Sequence, residues 1–134
     1  MAFTTEDRTT VTELIALHGH LVDNGQLDRL DEVFAADVVY DLSAFGRDPL
    51  HGVGALRDAA LALGEGNPVG HHVTNIVLSG PTADRVSALS KGIGVYADGT
   101  CGSVVYEDTI VRGPAGWRIS HRQVRPRRRP LTAD

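Results

Sequence analysis

DRVSALSKGIGVYADGTCGSVVYEDTIVR, residues 84–112, holds two long strand-forming runs on either side of Asp98-Gly99. Asp-Gly is favoured in a two-residue type I′ turn, so residues 84–97 and 100–112 are expected to pair as an antiparallel hairpin. Such a turn sets Tyr96 opposite Cys101, Val95 opposite Gly102, Ile93 opposite Val104 and Lys91 opposite Tyr106. Alternation then separates two faces. One carries Leu89, Ile93, Val95, Val104, Tyr106 and Ile110; the other, small and smooth, carries Ala88, Ser90, Gly92, Gly94, Ser103 and Val105. Periodicity leaves open which of the two meets a ligand.

Outward from the hairpin, Gly113-Pro114-Ala115-Gly116 turns the chain into a last strand, Trp117-Arg118-Ile119-Ser120-His121-Arg122. Upstream, His71-His72-Val73-Thr74-Asn75-Ile76-Val77-Leu78 reads as a strand closed by Ser79-Gly80-Pro81. The first half of the chain is different. Val11, Leu14, Ile15, His18, Leu21 and Val22 recur at helical spacing, predicting a helix from about residue 6 to about residue 23. Leu27, Leu30, Val33 and Phe34 mark the inner face of a second, short helix, and Val53, Leu56, Ala60 and Leu63 that of a third. Between them Val38-Val39-Tyr40-Asp41-Leu42 reads as a strand. Helices first and an antiparallel meander after them indicate a single α+β domain over residues 1–125, with residues 126–134 a basic tail.

The first helix ends on an acid. Asn24-Gly25 is a helix stop signal, which leaves Asp23 in the last turn, at the partially negative pole where an exposed carboxylate is disfavoured by about 0.3–1 kcal/mol. A solvated end residue, a cap for the second helix, or a carboxyl used for proton transfer all fit that position. At 100° per residue Asp23 lies about 140° around the helix from His18, so the apolar stripe alone does not bring both into one pocket.

Composition narrows the classes. The chain has 134 residues, 42% of them hydrophobic and 22% charged, as in an ordinary globular domain. No apolar run approaches the roughly 20 residues of a membrane span, so no membrane partner is expected. The start, Met1-Ala2-Phe3-Thr4-Thr5-Glu6-Asp7, carries no legible secretory signal, and one cysteine, Cys101, cannot form an internal disulfide; both point to the cytoplasm. Net charge is −4, yet six of the 13 basic residues fall between Arg118 and Arg129. That cluster lacks interleaved aromatics and contains Pro126 and Pro130, which favours a solvated tail over nucleic-acid binding. Six histidines are present, but none has metal-ligand spacing: His18 and His20 diverge on a helix. With no phosphate loop and no nucleophile elbow, neither metal nor cofactor is expected.

Five blocks carry a resemblance: Val22-Asp23-Asn24-Gly25-Gln26-Leu27-Asp28-Arg29-Leu30, Val33-Phe34-Ala35-Ala36-Asp37-Val38-Val39-Tyr40-Asp41, His51-Gly52-Val53-Gly54-Ala55-Leu56, Gly70-His71-His72-Val73-Thr74-Asn75, and Gly116-Trp117-Arg118-Ile119-Ser120-His121-Arg122. In this order and spacing the chain resembles the SnoaL-like family of the nuclear transport factor 2-like superfamily. That superfamily includes polyketide cyclases, scytalone dehydratase, ketosteroid isomerase, limonene epoxide hydrolase, bile-acid dehydratases and the small subunits of ring-hydroxylating dioxygenases. The resemblance implies a cone-shaped α+β barrel, three N-terminal helices packed on a curved, mostly antiparallel sheet around an apolar pocket, and a homodimer.

It also implies roles. In the dehydratase-like branch the acid before the small-residue break and a histidine opening the strand after helix three form a proton-transfer dyad; these positions correspond to Asp23 and His72. Strand alternation sends His71 and His72 to opposite faces, and the resemblance favours His72. Bile-acid dehydratases carry a tyrosine where this chain has His18, and Leu42 and Ser103 stand at two positions where scytalone dehydratase has other pocket residues. His18, Tyr40 and Tyr106 are the candidate substrate-binding residues, although His18 also reads as a core histidine and Tyr106 as a packing residue. The expectation is a cofactor-independent enzyme acting on a small apolar oxygenated substrate, such as a polyketide intermediate, by dehydration, isomerisation or aldol-type cyclisation. The alternatives are a noncatalytic hydrophobic-ligand-binding cone or structural dimerising subunit, and an epoxide hydrolase.

Overall fold

The computed structural model describes residues 2–131. Its first helix, α1 (Thr5–Asp23), begins where Thr4 and Asp7 satisfy each other: the Asp7 N–H donates to Thr4 Oγ1 at 3.0 Å and the Thr4 N–H donates to Asp7 Oδ2 at 2.9 Å. It ends in a Schellman motif, with the Gln26 N–H donating to the Leu21 carbonyl and the Gly25 N–H to that of Val22, and with Gly25 at φ +68°. Between these caps Val11, Leu14, Ile15, His18, Gly19 and Leu21 are buried.

The expected second helix is a 3-10 helix, Leu27–Glu32. Leu27, Leu30 and Val33 are spaced by three, and in a 3-10 helix residues three apart stack on one side, here toward the core. Strand β1 (Phe34–Asp41) begins four residues before the segment read from sequence. After the two-residue strand β2 (Leu50–His51) comes α2 (Val53–Leu63), followed by β3 (Gly70–Ser79), β4 (Arg85–Val95), β5 (Cys101–Gly113) and β6 (Gly116–Pro126). The three expected helices are thus two α-helices with a 3-10 helix between them, and short 3-10 turns follow at Ser43–Phe45 and Gly64–Gly66. Strand β6 reaches into the segment read as tail, and residues 132–134 of that segment lie outside the described residues.

The fold is α+β, a curved sheet in the order β2-β1-β6-β5-β4-β3 with the helices packed on it. Every neighbouring pair is antiparallel except β1 with β6, which run parallel with Phe34 opposite Ile119. Register breaks in β1, β3 and β6 each interrupt the ladder and add bend, wrapping the sheet around the helical side.

The central hairpin differs from expectation by one residue. Its turn has three residues: the Gly99 N–H donates to the Tyr96 carbonyl, the Tyr96 N–H donates to Thr100, both at 2.9 Å, and Gly99 sits at φ +87°. An Asp-Gly pair serves this bulged turn as well as the type I′ form, because both need glycine at a left-handed position. Val95 therefore pairs with Cys101 and Ser90 with Tyr106, and all the pairings read from a two-residue turn are displaced. The inner face carries Val86, Ala88, Ser90 and Gly92 beside Tyr106, Asp108 and Ile110. Leu89 and Ile93 point outward and are exposed, so the small, smooth face of β4 is the one that meets the interior.

Candidate functional site

A cavity of about 550 Å³ lies between α1, α2 and the inner face of the sheet. Its walls are mainly apolar, with Val22, Leu30, Phe34, Leu42, Leu50, Leu56 and Leu63 among them. Four polar rings enter this lining: His18, Tyr40, His71 and Tyr106. Arg47 and Asp48, from the exposed stretch between β1 and β2, also border it.

Asp23 meets a histidine, and it is His71. The Asp23 Oδ1 is 2.6 Å from His71 Nδ1, and the His71 backbone N–H donates to the same carboxylate at 3.0 Å. The end of α1 and the start of β3 are drawn together by these contacts, and Gly19 permits the approach: a Cβ there would stand 2.5 Å from the His71 carbonyl oxygen. A carboxylate only accepts, so Nδ1 carries the hydrogen and the lone pair of His71 is left on Nε2. Asp23 stands behind the ring, outside the lining, while the ring itself forms part of the cavity wall.

His72, the expected partner, faces the other way. It is exposed, pairs with Ile93 on the outer face, and its Nε2 lies 3.0 Å from where a Cβ on Gly70 would be. The reason is a bulge. Leu78 and Ile76 turn inward, and strict alternation back from them would bring Thr74 and His72 inward too. Between Thr74 and Val77 the register shifts by one, with Asn75 at φ +56°, so the inward set ahead of the bulge is Val73 and His71.

Sequence reasoning missed two residues that lie behind the lining, beside His18 and Tyr106. Arg122 and Asp108 sit opposite each other on β6 and β5, with both side chains fully buried. Arg122 Nε donates to Asp108 Oδ1 at 2.7 Å and its Nη2 to Oδ2 at 2.9 Å, a two-pronged pairing. Burial acts against the Arg122 charge, but the Asp108 carboxylate more than offsets it and holds the guanidinium above its ordinary value. Its Cζ lies 4.2 Å from the centre of the Tyr106 ring. The ring can lie there because its diagonal neighbour on β4 is Gly92, where a Cβ would come too close to Tyr106 Cε2. From sequence Arg122 reads only as one of the basic cluster between Arg118 and Arg129, but β6 carries an extra residue: Trp117 and Ile119 are buried, then the register slips and Arg122 and Val124 follow inward, leaving His121 outside.

His18 joins this pair, with its Nδ1 3.3 Å from Arg122 Nη1. Burial, then the charge of Arg122 and the neighbouring His71, holds the His18 imidazole well below its ordinary value, so it is neutral. Phe34 packs edge-on against it, with centroids 5.3 Å apart. Burial pushes the Tyr40 phenol up, and that of Tyr106 likewise, keeping both protonated as hydrogen-bond donors. Among the described residues no cluster of His, Cys, Asp and Glu could hold a metal ion, and no helix is long and apolar enough to cross a membrane.

Residues 4–123 match the model of the SnoaL-like domain, and the chain belongs to that family. Its solved neighbours have the cystatin-like, NTF2-like fold. An NTF2-like protein with a cystatin-like fold from Novosphingobium aromaticivorans is 29% identical over 90% of this chain and 82% of its own, with a TM-score of 0.74. LinA is 23% identical over 96% and 92%, with a TM-score of 0.77. A proposed scytalone dehydratase from Novosphingobium aromaticivorans is 18% identical over 91% and 85%, with a TM-score of 0.72. At the identities of the last two, the likeness is one of fold. No curated protein sequence matches the chain.

Proposed function

We propose that this protein is a cofactor-independent acid–base enzyme, a dehydratase, isomerase or aldol-type cyclase, that works on a small, mostly apolar, oxygenated substrate in a cytoplasmic homodimer. The observation that carries this reading is the 2.6 Å contact between Asp23 and His71 with the imidazole forming part of an apolar wall. Asp23 fixes the ring and its tautomer, so His71 Nε2 takes a proton from the carbon next to a carbonyl while Asp23 balances the imidazolium that forms. The same proton then goes to a departing hydroxyl, which leaves as water, or to another carbon of the enolate. Tyr40 and Tyr106, both kept neutral, supply donors to substrate oxygens. The apolar walls exclude water and strengthen each of these contacts.

Hydrogen–deuterium exchange at the α-carbons of 2-tetralone in heavy water tests the base without knowledge of the natural substrate. The protein is expected to accelerate it. Asp23→Asn should keep the fold and lower the catalysed rate at least about a hundredfold, as loss of a positioned acid–base partner does. His71→Gln should do the same and His72→Gln should leave the rate near that of the parent. An unchanged rate in Asp23→Asn would refute the assignment and favour a binding cone.

A further inference from the structure

His18 is half of an arrangement that the dyad does not use. A guanidinium has five N–H donors and no acceptor, so the 3.3 Å contact from Arg122 Nη1 can be a hydrogen bond only if His18 Nδ1 offers a lone pair. Arg122 is itself immobilised: its Nε and Nη2 are committed to Asp108, and the side chain is wholly buried. A neutral imidazole with a bare Nδ1 carries its hydrogen on Nε2. That Nε2 has no hydrogen-bond partner among the described residues, yet it is not one of the buried side-chain atoms without a partner, which are Ser90 Oγ and Arg112 Nε. His18 is 93% buried and lines the cavity, so the small surface left to Nε2 is the surface it presents there.

We infer that His18, locked by Arg122 as the neutral Nε2–H tautomer, is the hydrogen-bond donor to the substrate's carbonyl oxygen, opposite the base His71. The two rings are neighbours in the cavity wall, with centroids 6.2 Å apart and an interplanar angle of 61°, so one C–C=O unit in the cavity is within reach of both. They perform opposite tasks because their Nδ1 atoms have opposite partners. Asp23 accepts from Nδ1 of His71 and leaves a base; Arg122 donates to Nδ1 of His18 and leaves an acid. A neutral imidazole suits the second task, since it stabilises a developing enolate oxygen without surrendering its proton. Burial, the Arg122 charge and His71 all resist a second proton on this ring, and Phe34, packed edge-on against it, brings no charge. Arg122 is here a positioning residue, and Asp108 holds it in turn.

The inference rests on the acid–base reading above, but its test needs no turnover. In the 15N-labelled protein, long-range 1H–15N correlation should give His18 a bare Nδ1 and a protonated Nε2 from about pH 5.5 to 8, the span in which a free imidazole titrates. Addition of 2-naphthol, a stable enol with the shape of the 2-tetralone enolate, should move the His18 Nε2–H resonance downfield. His18→Phe should weaken 2-naphthol binding about tenfold, the worth of one such bond, and His18→Gln, whose amide can donate at the same reach, should restore most of it. A protonated Nδ1 in the free protein would overturn the inference while leaving Asp23 and His71 untouched, and so would 2-naphthol binding equally well to His18→Phe. Failure of 2-naphthol to bind the parent protein would also overturn it, and loss of exchange catalysis in Asp23→Asn would be read independently.

Discussion

The α-carbon of Gly19 faces the carbonyl of His71 so closely that an added methyl would sit 2.5 Å from its oxygen. That oxygen belongs to backbone and cannot swing aside, so α1 and β3 must separate to admit any side chain. Gly19→Ala is expected to lower stability by about 1–3 kcal/mol, the usual cost of overpacking. It should also widen the Asp23–His71 contact and reduce 2-tetralone exchange more than Leu61→Ala, at an exposed position of α2, does. Urea unfolding and exchange rates on the two variants check this; full activity in Gly19→Ala would show that the dyad tolerates the separation.

The buried Arg122–Asp108 pair should behave as a unit. Arg122→Met leaves Asp108 uncompensated in the interior and is expected to cost about 3–5 kcal/mol. Asp108→Leu alone should cost a similar amount, and the double variant should recover much of the loss. A double-mutant cycle by urea denaturation measures the coupling. Additive losses would mean that water, rather than the partner, satisfies each charge.

Stability should also fall in acid through His18. Its folded value lies well below the ordinary 6.5, so between those two values the unfolded chain binds a proton that the folded protein does not. The contribution is complete above the unfolded value and is lost as pH drops below it, at no more than about 1.4 kcal/mol per pH unit. Unfolding free energies measured between about pH 7.5 and 5 should slope less steeply in His18→Phe than in the parent. Parallel slopes would mean that His18 takes up its proton in the fold as readily as in the unfolded chain.

Asn75 holds the bulge in β3 at φ +56°, a left-handed conformation that asparagine and glycine tolerate and β-branched residues do not. Asn75→Gly should fold with near-parental stability, while Asn75→Val should lose about 1–2 kcal/mol and disturb the position of His71. Thermal unfolding of both variants, read with the His71 imidazole resonances, tests this. Equal stability would argue that the bulge is imposed by packing and not by this residue.

Much of the architecture could be read from local chemistry. The Asn24-Gly25 stop and the 3.6-residue spacing ahead of it define α1 almost to the residue. The turn at Gly113-Pro114-Ala115-Gly116 bounds the last two strands in the same way. Asp23, His18, Tyr40 and Tyr106 were also legible as polar groups at informative places, and three of these four line the cavity.

Registers were not legible, because each depends on one extra residue whose energy is decided across strands. Asp98-Gly99 serves a two-residue or a three-residue turn, and the choice determines whether Tyr106 shares a face with Ile93 or with Gly92. The extra residue in β3 exchanges His71 for His72, and the one in β6 brings in Arg122 and leaves His121 outside. Alternation along a strand is a local rule with a period of two, and a single inserted residue reverses it. Helix ends and the positions of turns, though not their lengths, answer to neighbours a few positions away, so local sequence settles them. Which imidazole meets Asp23 is settled by α1 seating Gly19 against a carbonyl 52 positions further on, a contact that exists only once the sheet has closed over the helix.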